Sequence, residues 1–190
     1  MIRTGDTIHN PVTGERITFH ATSADTNGEA VVIECVVQPD GFVAATHLHP
    51  SQTERFAVID GTLGIKVGKE KRTLGPSEVA AVEAGTPHRF WNAGEDEVRF
   101  VCEVRPALQF ESLLETMFSL AADGKTNRKG MPNPLRLAVI ALAHFDTVRL
   151  PFPPAWLQKA GLVLGAPIGR GLGYRPTYGP EVDAPAIPAV

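Results

Sequence analysis

The chain has only two cysteines, Cys35 and Cys102, and no CxxC pair. Two thiols in apolar, strand-like runs exclude a disulfide framework and a thiolate metal knuckle, and they read as buried free thiols of a reducing compartment. Strong charge is lacking as well. The formal net charge is -3, from 18 basic and 21 acidic residues, so no field of one sign recruits nucleic acid or an anionic membrane. The one dense basic cluster, Lys69–Arg72, contains Glu70 and reads as a solvated hairpin. Long apolar runs are also missing. The longest, Leu137–Ala143, is far shorter than the ~20 residues of a membrane span. The opening Met1-Ile2-Arg3-Thr4-Gly5-Asp6 has no apolar core of a signal peptide. These absences predict a soluble, cytoplasmic protein with neither nucleic acid nor membrane as partner.

What is present changes character near Pro106. Before it, short runs rich in Val, Ile, Phe and Thr alternate with turn residues: Ala30–Val37, Glu54–Ile59, Gly64–Val67, Glu78–Val82 and Glu97–Val104. Strands this short and this closely spaced predict an all-β sandwich or barrel. Asp60-Gly61 and Val67-Gly68-Lys69 read as hairpin turns. In Val98–Arg105 the period of two puts Val98, Phe100, Cys102 and Val104 on one face, predicted to point inward. After Pro106 the period lengthens. Phe110, Leu113, Leu114, Met117, Phe118 and Ala121 fit an amphipathic helix ended by Asp123-Gly124-Lys125. Asn133-Pro134 opens a second helix, to about Phe145, and Pro153-Pro154 a third. The third carries Trp156, Leu157, Ala160 and Leu164, a stripe expected to pack on the barrel or on the other helices. Gly165–Val190, rich in Gly and Pro, reads as an extended tail. The predicted organisation is a barrel over residues 1–105 and, over 106–190, a helical extension and tail packed on it.

The segment Gly41–Gly61 carries the chemistry. On a strand His47 and His49 point to the same face, because residues two apart do. A turn containing Pro50 and Ser51 lets the next strand return Glu54 to the same cavity. His88 offers a third imidazole in Gly85-Thr86-Pro87-His88-Arg89-Phe90-Trp91-Asn92. Three neutral imidazoles and a carboxylate suit a borderline divalent ion and leave one or two positions open. His9, His20 and His144 have no partner spacing and read as structural or surface residues.

Gly41, His47, His49, Glu54 and Gly61 are separated by five, one, four and six residues, and Gly85, His88 and Asn92 by two and three. In both spacings the chain resembles the cupin superfamily, in particular its small single-barrel members. Ser77 and Glu83 stand where that family's second motif carries Gly and Pro, neither of them a ligand position. The resemblance covers about residues 30–105. It implies a mainly β protein, a double-stranded β-helix or jelly-roll barrel, here with a C-terminal α-helical extension. It also implies one divalent metal ion (Fe, Mn, Ni, Co, Cu or Zn) held by His47, His49, Glu54 and His88. Strand parity then assigns Phe56, Val58, Phe90, Phe100 and Cys102 to a substrate pocket, while Arg55, Arg89, Trp91 and Glu103 face away. The expected function is a metal-dependent enzyme acting on a small, largely apolar or aromatic, oxygen-bearing substrate. Its chemistry is dioxygenase-like or Lewis-acid isomerase, cyclase or lyase, with Glu54 as catalytic base. The alternative is a non-enzymatic metal-containing protein that binds a small molecule. Trp91, Val101 and the tail predict a homodimer.

Overall fold

A computed structural model describes residues 2–179. Among these, nine strands form two antiparallel sheets: β1 (Thr7–Asn10), β2 (Glu15–Ala21), β3 (Val31–Val37), β4 (Thr53–Asp60), β5 (Leu63–Val67), β6 (Glu70–Leu74), β7 (Val79–Val82), β8 (His88–Asn92) and β9 (Val98–Arg105). One sheet has the order β1-β2-β3-β9-β4-β7 and the other β6-β5-β8. From β4 onward the chain passes repeatedly between the sheets, as in a jelly roll. Sequence patterning located β3, β4, β5, β7 and β9. The parity of His88–Trp91 and the Lys69–Arg72 hairpin pointed to β8 and β6, while β1 and β2, short or polar at most positions, were passed over.

Alternation decides which side chains are inside. Val98, Phe100, Cys102 and Val104 of β9 are all buried, and Arg99 and Arg105 are exposed. Their cross-strand partners continue the layer: Phe100 stands opposite Cys35 and Val58, and Cys102 opposite Ile33 and Phe56. Rows of directly opposed apolar residues are the unit that stabilises such a sheet. The turns follow the sequence. Gly61 has φ 78°, and a Cβ there would stand 2.5 Å from the Glu97 carbonyl oxygen. Ser77, in the glycine position of the second motif, adopts φ 69°, so the turn keeps its left-handed geometry without glycine. Asn92 organises a turn: its Nδ2 donates to the Val37 and Asp96 carbonyls, and its Oδ1 accepts from Gly94 N–H.

Three helices follow: α1 (Phe110–Ala122), α2 (Pro134–Ala143) and α3 (Ala155–Gly171). The first two match expectation, including the Asn133 cap, whose Oδ1 accepts from Arg136 N–H at 3.0 Å. The third corrects it in two ways. It continues through Gly165 to Gly171, a stretch read as tail, and its bulky stripe faces solvent. Trp156 is 72% and Leu164 75% exposed, while Ala166 and Gly169 are buried. The reason is the closeness of α2. A Cβ on Gly169 would lie 2.5 Å from the Leu135 carbonyl oxygen, and one on Gly165 would lie 3.2 Å from Ala138 Cβ. Only small residues fit that face, which turns Trp156 and Leu164 outward, while Leu157 and Leu162 reach the cavity between barrel and helices. Residues 172–179 return along α1 and α2, with Tyr178 N–H donating to Thr116 Oγ1. The part of the tail expectation beyond Gly179 lies outside the described residues.

Candidate metal centre

His47 and His49 lie on an extended segment rather than within a regular strand. His47 pairs with His88 through both backbone hydrogen bonds, His47 N–H to His88 O at 3.1 Å and His88 N–H to His47 O at 2.8 Å. Glu54 stands at the start of β4 between Val82 and Val104. One nitrogen from each imidazole and one carboxylate oxygen all lie within 4.8 Å of one another. The imidazole centroids are 4.3 Å apart for His47–His88, 5.1 Å for His47–His49 and 5.4 Å for His49–His88. His49, Glu54 and His88 are buried and His47 is half-buried.

The outer nitrogens set the chemistry of the inner ones. Nδ1 of His47 faces the Ala45 carbonyl at 2.9 Å, Nδ1 of His88 faces Thr86 at 3.0 Å, and Nδ1 of His49 faces Thr147 at 2.6 Å. A carbonyl only accepts, so each Nδ1 donates its proton and each Nε2 presents a lone pair inward. His49 Nε2 is buried with no hydrogen-bond partner among the described residues. His88 Nε2 stands 2.6 Å from Glu54 Oε2 and His49 Nε2 stands 3.5 Å from Glu54 Oε1. Lone pairs this close need a cation between them. Burial works against the charge on His88, yet its contact with Glu54 outweighs burial and raises its pKa. Burial likewise works to raise Glu54, but the His88 hydrogen bond and the three imidazoles hold it down to about 2. His47 is pushed down to about 3, by burial first and then by its neighbouring imidazoles. Three inward lone pairs and an ionised carboxylate fit a divalent ion.

The centre opens onto a cavity of about 490 Å³ between barrel and helices. Phe56, Phe90, Phe100 and Cys102 line it. Val58 does not; it is buried in the core two residues further along β4. Phe56, Phe90 and Phe100 pack with centroids 5.4–5.9 Å apart. Leu114, Met117, Ile140 and Leu162 close the helical side. Arg55 and Arg89 are exposed, and Trp91 lies half-buried across Gly64, where a Cβ would meet its indole. His20 sits on the surface beside Glu34, whereas His144 is fully buried, with Nδ1 donating to Ile140 O.

Two contributions escaped sequence reading. The α2–α3 connection holds the centre: Thr147 orients His49, and Leu48 and Arg149 exchange both backbone hydrogen bonds at 2.9 Å. No local signal announces a backbone carbonyl arriving from a hundred residues away. Glu15 also lines the cavity, buried, with its pKa pushed up to about 7 by burial against the Thr13 hydrogen bond. A signal existed here: Ile17 and Phe19 alternate with polar residues, and extending that parity backward turns Glu15 inward.

Residues 33–104 match the family model described as the cupin domain. Over these residues the chain carries a cupin domain. A curated relative, "Probable oxidoreductase virH" of Hypocrea virens, is 31% identical over 145 residues, covering 70% of this chain. This chain spans 64% of that relative's length. Among solved structures, an RmlC-like cupin from Shewanella frigidimarina aligns with TM-score 0.49 and 12% identity over 56% of this chain and 88% of its own. KdgF from a Halomonas species aligns with TM-score 0.47 and 15% identity, covering 55% and 90%. No helix among the described residues is long and apolar enough to cross a membrane.

Proposed function

We propose that this cupin-domain protein is a metal-dependent enzyme acting on an oxygen-bearing, largely apolar or aromatic small molecule. Oxidoreductase chemistry of the dioxygenase kind is the first reading, and redox-neutral isomerase, cyclase or lyase chemistry follows if the resident ion is redox-inert. One observation carries the proposal: three imidazoles, each pinned at Nδ1 by a backbone carbonyl, converge with Glu54 at the wall of an apolar cavity. A divalent ion held there supplies Lewis acidity and, if redox-active, electron transfer. His47, His49 and His88 hold and orient it. Glu54, ionised at neutral pH, completes the ligand set and, once released from the ion, acts as the general base on the substrate. The aromatic floor excludes water and seats an apolar body. The likeness to a probable oxidoreductase of Hypocrea virens supports the oxidoreductase arm. A homodimer is also proposed; the half-buried, outward apolar residues Trp91 and Val101 offer surface to bury, and light scattering checks it.

The test is metal analysis of protein expressed with zinc, nickel and copper withheld, since those ions outcompete iron and manganese by intrinsic affinity. Stoichiometric iron, manganese or another redox-active ion supports the oxidoreductase arm. A zinc requirement moves the reading to redox-neutral chemistry. Protein that takes up no ion, or takes it up equally well after His47→Ala and His88→Ala, overturns the reading. Glu54→Gln, saturated with metal, should lose turnover while still binding ligand. Metal and ligand binding without turnover in the unaltered protein would identify a binder in place of an enzyme.

A further inference from the structure

The cavity has a second polar pole that the metal centre does not use. Glu15 belongs to the inward face of β2 with Ile17 and Phe19, is 5% exposed, and lines the same cavity as His47, His49 and Glu54. Asn10, also buried, lines it beside Glu15, its register partner across the β1–β2 hairpin. Both side chains are fixed in place. Thr13 Oγ1 donates to Glu15 Oε2 at 2.6 Å, and Asn10 Oδ1 accepts from the N–H groups of Val12 and Thr13. This leaves Glu15 Oε1 and the Asn10 amide NH2 to a ligand. No cation pairs with Glu15 among the described residues, so the carboxyl is not there to neutralise a charge. Burying such a group without a partner is costly, and cavities built for ligands keep a few polar groups in otherwise apolar walls.

The two poles are well separated. Glu54 stands opposite Val104, and Glu15 opposite Val37, which stands opposite Val98. Val98 and Val104 are six residues apart on one strand, roughly 20 Å of backbone at ~3.3 Å per residue. Between them the wall is apolar, with Phe100, Cys102, Ile33 and Cys35.

We propose that Glu15, with Asn10, is a second recognition site for the ligand of this cavity. The ligand class is an elongated molecule with an oxygen donor at one end, an apolar middle, and a hydroxyl or carbonyl at the far end that hydrogen-bonds Glu15. The inference rests on the metal-anchored reading for the first end only. Burial pushes the Glu15 carboxyl up to about 7, so near neutral pH both forms are present and the protonated one donates as well as accepts.

The experiment uses the full chain loaded with zinc and isothermal titration with two matched probe series. These are straight-chain carboxylic acids of increasing length and the same acids with a terminal hydroxyl. In the unaltered protein one range of lengths should show the hydroxy acid binding about tenfold tighter than its plain counterpart, the size of one good hydrogen bond to a buried group. Glu15→Met should abolish that preference and leave affinity for the plain acid unchanged. Glu15→Gln, which still accepts from Thr13 and still donates, should retain most of it and controls for damage to the fold. A hydroxyl preference absent at every length, a preference that survives Glu15→Met, or no binding of either series overturns the proposal. Equal affinities with and without zinc overturn the metal-anchored reading alone, because the hydroxyl preference is read independently of the ion.

Discussion

Barrel and helical extension wall the same cavity but are built by different rules. On the barrel side, bulky residues face in: Phe56, Phe100 and Cys102 are buried and their neighbours Arg55, Arg99 and Val101 are not. On α3 the order reverses, with Gly165, Ala166 and Gly169 against α2 and Trp156, Leu164 and Ile168 in solvent. A sheet spaces its strands by backbone hydrogen bonds, leaving room above it for side chains of any size. Two helices have no such spacer, and their distance is whatever the contacting side chains allow. Residue size thus decides the helical packing, where hydrophobicity decides the sheet.

The largest expected effect breaks the comparison outright. Ending the chain at Arg105 removes the Thr147 carbonyl from His49, the Arg149 pairing of Leu48 and the helical wall over the Phe56–Phe90–Phe100 floor. The truncated barrel should aggregate and lose metal affinity, measured by solubility and metal titration. A stable, metal-competent barrel would show that the extension is only a cover.

The next tests the barrel's exception to its own rule, a carboxyl on an inward face. Glu15 has an ordinary value of 4.5 when exposed and about 7 when folded. Between these values the folded chain holds a proton that the unfolded chain has released, so stability falls as pH rises. The loss across that window is about 3 kcal/mol, complete above the folded value. Denaturant titrations of the native protein and Glu15→Gln from pH 4 to 8 should diverge in that sense; parallel curves would reject the buried, protonated carboxyl.

Metal removal should follow in size. An ion held at about 100 times its dissociation constant adds roughly 2.7 kcal/mol, or roughly 5–11 °C in melting point for a chain of this length. Chelation should lower the melting point by that amount and readdition restore it. His20→Ala, on the surface, should leave the shift intact, while His47→Ala removes it. His88 binds its proton more tightly than a free imidazole, so metal affinity should weaken as pH falls through neutrality.

The helix rule is sharpened by an opposed pair. Gly169→Val should cost about 1–3 kcal/mol through overpacking against Leu135 and Val139. Trp156→Ser, the loss of a far larger apolar group, should change stability by only about 0.5 kcal/mol or less. The reverse ranking in chemical denaturation would mean that the exposed face of α3 is covered in solution. The smallest effect returns to the barrel. Ser77→Gly should stabilise by about 1 kcal/mol, since the φ of 69° is free to glycine and strained for serine.

Sequence alone determined the features with a local period or a fixed spacing. Alternation in β9 named its buried face, and the Gly41–Gly61 and Gly85–Asn92 spacings together named the four residues that the fold brings together. The Asn133-Pro134 cap named the start of α2. Tertiary structure alone decided the rest. Whether Trp156 is buried depends on how near α2 lies, and which His49 nitrogen faces the cavity depends on a carbonyl 98 residues downstream. Val58 shares the parity of Phe56 yet misses the cavity, because parity gives the face of a strand but not the depth along it. A period is written by neighbours in the chain. Distance between elements is set by side chains that meet only after folding, and no local pattern records it.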